Sequence, residues 1–213
     1  MLLVIFIRCK LIAGVAALIL VAQSFELRAA GAGVLVSTER NNQVYVLLAD
    51  HKKPSQITRG WSTLGGTIKD GESELQAAVR EVVEESGGIL SAELLYSTVN
   101  PEVKTMTPGF TIFYAQVPFQ NVDSFNLTEV SIDELGNSER GPFIWLPWSE
   151  VLAAAKKYRE QLDSDSRSKV ILDKKFLPEN SQTDWFFDAF LATVKSISET
   201  SHTKLYSLKP TVD

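Results

Sequence analysis

Cysteine is nearly missing from this 213-residue chain, Cys9 being the only one. No internal disulfide and no cysteine-based zinc site can form, and a lone thiol suits an oxidising or a reducing compartment equally. Histidine is scarce too: His51 and His202 are too few for a histidine metal cluster, and each reads as a surface residue. Positive charge is short. Lys and Arg number 21 against 26 Asp and Glu, giving a formal charge of −5 and a pI of about 5.2. That balance argues against a broad nucleic-acid-binding surface and predicts no nucleic-acid partner. Repeats and low-complexity tracts are absent as well. Any catalysis must lean on carboxylates.

No unbroken apolar run reaches the roughly 20 residues that a membrane-spanning helix needs. Residues 1–7 are apolar, Arg8 and Lys10 interrupt, and residues 11–22 form a second apolar run of 12. This pattern, with Ala22-Gln23-Ser24 as a small-x-small cleavage candidate, reads residues 1–24 as a signal peptide or membrane anchor. Membrane contact would then run through residues 1–22, and a secreted, periplasmic or membrane-anchored location is favoured over a cytoplasmic one. A wrongly chosen start codon is the competing explanation for the greasy stretch before Arg8.

The body of the chain, 45% hydrophobic, fits one domain with extensions. Residues 27–37 and 43–48 read as strands of an opening hairpin joined by the turn-rich residues 38–42. Residues 89–99 and 110–117 are strand candidates separated by a loop at 101–108. An acidic loop fills 120–141, a short strand 143–146, and a helix runs from Ser149, a plausible N-cap, to about residue 161. Residues 162–198 form a helical extension. Its last helix is expected over 181–197, capped by Ser181, with an apolar face of Trp185, Phe186, Ala189, Phe190 and Val194 that packs on the domain or serves a homodimer. Residues 199–213 read as a loose tail.

One segment carries the chemistry: Gly66-x5-Glu72-x7-Arg80-Glu81-Val82-x-Glu84-Glu85-x-Gly87-Gly88. Leu75, Ala78, Val79 and Val82 recur at i, i+3, i+4 and i+7, the buried stripe of an amphipathic helix. Residues 70–73 supply a turn with acidic groups at the helix start, and Gly87 supplies the stop. On that helix Glu81, Glu84 and Glu85 sit at i, i+3 and i+4 and project from one face. Each like-charge pair costs a few tenths of a kcal/mol. The crowding makes sense around a hard divalent cation, since Mg²⁺ takes carboxylate oxygen and leaves positions for water and phosphate.

This segment resembles the signature box of the Nudix hydrolases, G-x5-E-x7-R-E-U-x-E-E-x-G-U with U a bulky aliphatic residue. Eight of nine defined positions match, over a resembling region of residues 27–161. The departures are Gly88 in the last U position and Leu64 where many members place proline. Neither removes a group the chemistry needs. The resemblance implies an α+β fold, an α/β/α sandwich with a mixed sheet between helices. It also implies metal-assisted hydrolysis of a pyrophosphate linkage in a small-molecule nucleotide.

By the same resemblance the Gly66 carbonyl, Glu81, Glu84 and Glu85 hold Mg²⁺, or alternatively Mn²⁺, while Glu72 and Arg80 pair to keep loop and helix in register. The general base is Glu84 or Glu85, or an acid of the later loop: Glu129, Asp133, Glu134 or Glu139. Arg59 is placed to touch a substrate phosphate, a solvent-exposed loop arginine being the alternative, and Trp61 to stack on a base, with core packing at least an equal alternative for Trp61. Trp145, Trp148 and Trp185 read as structural. Substrate markers expected about 16 residues past the box do not match cleanly, since Lys104 stands there. The other reading is a Nudix-fold module that binds nucleotide without turnover.

Overall fold

The computed structural model describes residues 30–51, 59–127, 140–164 and 168–200. The opening hairpin is present as β1 (Gly31–Arg40) and β2 (Gln43–His51), antiparallel from Ser37 opposite Val46 to Arg40 opposite Gln43. Its turn is only two residues long. Asn41 and Asn42 take φ of 53° and 59°, the left-handed pair that a tight hairpin requires and that asparagine tolerates better than most residues.

The first half of that same edge of β1 is taken by β3 (Leu64–Thr67), paired from Gly31–Thr67 to Val34–Leu64. On its other edge β1 runs parallel to β5 (Phe110–Gln116), which pairs antiparallel with the edge strand β4 (Lys104–Thr107). β6 (Arg140–Pro147) lies beside β2, giving the order β4-β5-β1-β2-β6 with β3 also on β1.

Side chains alternate between the two faces of this sheet. Val34, Val36, Leu47, Ala49, Phe113 and Ala115 face a cluster with α1 (Glu74–Glu85), α2 (Ala92–Thr98) and Phe125 of α3 (Val122–Leu127). Leu35, Val46, Leu48, Ile112 and Tyr114 face a second cluster with α4 (Trp148–Asp163) and α5 (Asp188–Thr200). The mixed sheet between helices is the α/β/α sandwich that the resemblance implied.

Local expectations fail where tertiary partners or caps intervene. Residues 89–99, read as a strand, hold helix α2 instead. Ser91 Oγ accepts from Leu94 N at 3.2 Å, and the Ala-Glu-Leu-Leu that follows favours helix. The 101–108 loop contains β4, and the start of the acidic loop contains α3. Helix α4 begins at Trp148, with Pro147 in the cap position and no side-chain cap bond, so Ser149 is not its N-cap.

The last helix begins at Asp188, seven residues later than expected. Residues before it are held extended by the fully buried Asp50. Its carboxylate accepts from the N–H groups of Gln182 (2.8 Å) and Thr183 (2.9 Å) and from the Thr183 hydroxyl (2.7 Å). Ser181 donates to Pro178 O rather than capping a helix. Phe186, Phe190, Leu191, Val194 and Ile197 are all in the second core cluster, so the apolar face of the extension packs on the domain. Helix α5 continues to Thr200, so the expected tail cannot begin before residue 201. The rest of that tail and the leader at 1–24 lie outside the described residues. Among the described residues no helix is long and apolar enough to cross a membrane.

Candidate active site

The box forms strand β3, a turn through residues 68–73, and helix α1. Ser73 caps the helix reciprocally: its Oγ accepts from Gln76 N at 3.2 Å, and Gln76 Oε1 accepts from Ser73 N at 2.8 Å. Ala77, Ala78, Val79 and Val82 are buried and Leu75 is half-buried against the first cluster. Fully burying a valine contributes about 1.5–3 kcal/mol. That outweighs the few tenths lost per glutamate pair, so packing carries the strained acidic face. Beyond the C-cap Ser86, Gly87 and Gly88 adopt φ of 63° and 77°. The bulky residue expected at position 88 would be strained there, which accounts for the departure.

Arg80 is the hub of the charged face. Its Nε and Nη2 grip Glu72 Oε1 and Oε2 at 2.6 and 3.0 Å, and Nη2 also donates to Thr67 O at 3.0 Å. Nη1 donates to Glu81 Oε1 at 2.8 Å and to Glu84 Oε2 at 3.0 Å. Hydrogen bonding from Arg80 holds the Glu72 carboxyl at about 2, and Glu72 in turn raises Arg80 further above its usual range. Strand end, turn and helix are thus tied through one guanidinium.

Glu85 points elsewhere. It is almost fully buried; Oε2 accepts from Gly65 N at 2.9 Å and Oε1 from Arg140 Nε at 2.7 Å. Burial pushes its carboxyl up to about 7, against the pull of Arg140 and the Gly65 N–H, with Glu81 adding repulsion. Arg140, 2% exposed, also donates to Ser62 Oγ at 3.1 Å, to Thr63 O and to His51 Nε2. Because arginine only donates, His51 Nε2 accepts there and a neutral ring carries its proton on Nδ1. His51 is therefore a buried residue and not the surface one expected. Arg140 escaped the sequence reading because it closes the acidic loop. Its signal was a cation fused to the apolar run Phe143-Ile144-Trp145-Leu146.

Folding favours the protonated form of a carboxyl raised from about 4.5 to about 7. In metal-free protein, Glu85 therefore lowers stability progressively as pH rises from about 4.5 to about 7, with no further change above. Urea midpoints measured across that range in wild type and Glu85→Gln should converge at low pH and part toward neutrality.

The glycines set how closely these groups approach. A Cβ on Gly66 would fall 2.4 Å from the Glu81 carboxylate carbon, and one on Gly65 (φ 152°) would fall 2.5 Å from Gly33 Cα on β1. Gly66→Ala should leave the fold intact, because Glu81 can swing away, and reduce turnover at least about tenfold by displacing that carboxylate. Steady-state kinetics beside a thermal melt would check both halves.

The three glutamates do not close around one point. Glu81 and Glu84 share Arg80 Nη1, while Glu85 faces Gly65 and Arg140, and among the described residues no group of three acids, histidines or cysteines is gathered closely enough to hold a metal ion. The donor chemistry nevertheless fits a hard cation. Every donor is oxygen, Glu81 and Glu84 already share one positive group, and burial raises the Glu81 carboxyl in spite of Arg80.

Beside the glycines lies a cavity of about 390 Å³ between the sheet and α5, lined by Gly65, Gly66, His51, Arg140 and Arg59 among others. A larger cleft of about 900 Å³ follows the turn at residues 68–75 on the outer side of the box and does not reach Gly65 or Gly66. Arg59 sits on the smaller cavity's lining with its guanidinium 5.9 Å from the Phe187 ring centre. Trp61 does not face it: the side chain is fully buried and its indole N–H donates to Thr183 O at 3.0 Å. Stacking on a base is thereby corrected to core packing. Glu129, Asp133, Glu134 and Glu139 lie outside the described residues.

Comparison with known proteins places these features in a family. The family model described as NUDIX domain matches residues 27–165, well over half of the chain. Solved structures that resemble it include a mutT/nudix family protein from Listeria innocua, 18% identical, with 85% of this chain and 98% of that one covered and a TM-score of 0.43. A Nudix hydrolase from M. smegmatis is 20% identical over 81% of this chain and 88% of its own, with a TM-score of 0.42. A C. elegans Ap4A hydrolase in a binary complex is 21% identical over 59% and 82%, with a TM-score of 0.38.

Proposed function

We infer, from the premise that this chain belongs to the Nudix family and is a pyrophosphohydrolase of that type, that it cleaves a nucleoside diphosphate linked to another group. Dinucleotides, nucleotide sugars, ADP-ribose and nucleoside triphosphates make up that class. The observation that carries this reading is the placement of Glu81 against Gly66, on the strand whose glycines open into the cavity beside Arg59 and Arg140. Glu81, Glu84, Glu85 and the Gly66 carbonyl would hold Mg²⁺ or Mn²⁺, which supplies charge neutralisation at the phosphates and a more acidic water.

The chain's own groups divide the remaining work. Gly65 and Gly66 let phosphate oxygens approach backbone that a side chain would cover. Arg80 fixes Glu81 and Glu84 relative to the strand, and Glu72 fixes Arg80. Glu84, whose side chain is 45% exposed, is the most open of the box carboxylates to water and takes the general-base role. Glu85 anchors the Gly65 N–H from below, and Arg59 meets a phosphate at the cavity lining.

Dialysis against a chelator should abolish turnover, and added Mg²⁺ or Mn²⁺ should restore it. Full activity surviving chelation would contradict the assignment. The binding-module alternative draws on Arg80 standing between Glu81 and Glu84, but the box has lost none of its acids.

A further inference from the structure

The family match ends at residue 165, yet Phe187, Ala189, Phe190 and Thr193 form part of the lining of the cavity that reaches Gly65 and Gly66. We propose that this C-terminal segment is the base-recognising wall of the substrate site, with Phe187 as the ring on which the nucleobase stacks. The proposal rests on the pyrophosphohydrolase reading above and names where its substrate's base is held.

Three phenylalanines lie within five residues of one another, and only one is left partly open. Phe186 and Phe190 are 2% and 4% exposed and belong to the core, whereas Phe187 is half-buried and lines the cavity. Its position is set by the segment that leads into the box: Phe187 N donates to Trp61 O at 2.9 Å, and Trp61 N donates to Trp185 O at 2.9 Å. Gly60 makes this approach tolerable, since a Cβ there would fall 2.3 Å from Trp185 O. The extension is therefore stitched to residues 60–62, only a few positions before Gly65.

The ring's surroundings match a nucleotide. Arg59 lies 5.9 Å from its centre and His51 meets it edge-on at 6.3 Å. Phe110, also half-buried, lines the same space. A cavity of about 390 Å³ falls in the range of small-molecule sites, which combine apolar and aromatic walls with a few placed polar groups. Aromatic rings accept any nucleobase through its π-face, and Arg59 on the same ring is placed to take the phosphate end.

The test compares a nucleoside substrate such as ADP-ribose with 5-phosphoribosyl diphosphate, a pyrophosphate ester that has no base. Phe187→Leu should raise KM for the nucleoside substrate about tenfold or more, keep kcat within about twofold, and leave the base-less substrate unchanged. Phe187→Tyr, which keeps the aromatic face, should restore the wild-type KM. Equal losses on both substrates, no loss on the nucleoside substrate, or a preference of the wild type for the base-less one would each overturn the proposal. The nucleoside substrate is the one that the wild type turns over fastest among dinucleotides, nucleotide sugars, ADP-ribose and nucleoside triphosphates, and turnover of none of them would sink the hydrolase reading instead. Calorimetric titration with AMP then decides the wall by itself: binding weakened about tenfold by Phe187→Leu supports it, and unchanged or undetectable wild-type binding overturns it.

Discussion

Glu84→Gln should lower turnover by about 100-fold or more while the protein stays folded. A positioned general base contributes on the order of 10²–10⁴ in rate, and the amide cannot take up a proton. The fold should survive because the substitution touches little else. Glu84 is 45% exposed, and its contact with Arg80 Nη1 at 3.0 Å is one an amide oxygen also accepts. Exposed ion pairs contribute at most about 1 kcal/mol, and Arg80 keeps both bonds to Glu72. The paired measurements are kcat and the urea midpoint. Activity equal to wild type would remove Glu84 from the chemistry.

The second large effect falls on stability. Arg140→Met should destabilise the protein by about 3–5 kcal/mol, the usual cost of removing one partner from a buried ion pair. The loss has four parts: Glu85 keeps a buried carboxylate without its cation, and the Ser62 hydroxyl, the Thr63 carbonyl and His51 Nε2 each lose a donor. Without Arg140 the Glu85 carboxyl rises further above about 7, because the cation was pulling it down. The cost should thus be smaller at pH 5, where Glu85 is neutral, than at pH 8. Adding Glu85→Leu to Arg140→Met should recover much of the stability and none of the activity, since the second substitution removes the acceptor that anchors the Gly65 N–H. Urea unfolding at both pH values, with kcat alongside, separates these effects. A pH-independent cost would mean that Glu85 is not the group left exposed to the loss.

What could be seen in the sequence depended on how local the cause was. The box helix has local causes throughout: an apolar stripe at helical spacing, a cap, and glycines at the exit. It forms where expected, and Glu72 meets Arg80 eight residues on because two turns of chain bring them together. Arg140, His51 and Asp50 have distant causes. Arg140 meets Glu85 across 55 residues, and Asp50 holds Thr183 across 133, so no window of sequence contains both partners.

The late start of α5 follows from the second of these contacts. Residues 181–187 have helix-compatible composition, but Asp50 and Trp61 satisfy their backbone groups in an extended path. Trp61 was ambiguous for a related reason, since a tryptophan beside a glycine-rich strand suits a core or a ligand equally. Only the bond to Thr183 decides it. In α2 the cause is local instead: the Ser91 cap and the Ala-Glu-Leu-Leu after it make a helix of residues whose apolar content alone suits a strand.

The most direct test follows the full-length chain by ³¹P NMR with Mg²⁺ and a panel of dinucleotides, nucleotide sugars, ADP-ribose and nucleoside triphosphates. The expected result is loss of diphosphate resonances and growth of phosphate-monoester resonances for at least one member of the panel, at a rate that Glu84→Gln suppresses. Nucleotide binding with no diphosphate consumed in either Mg²⁺ or Mn²⁺ would contradict it and make this box a sensor.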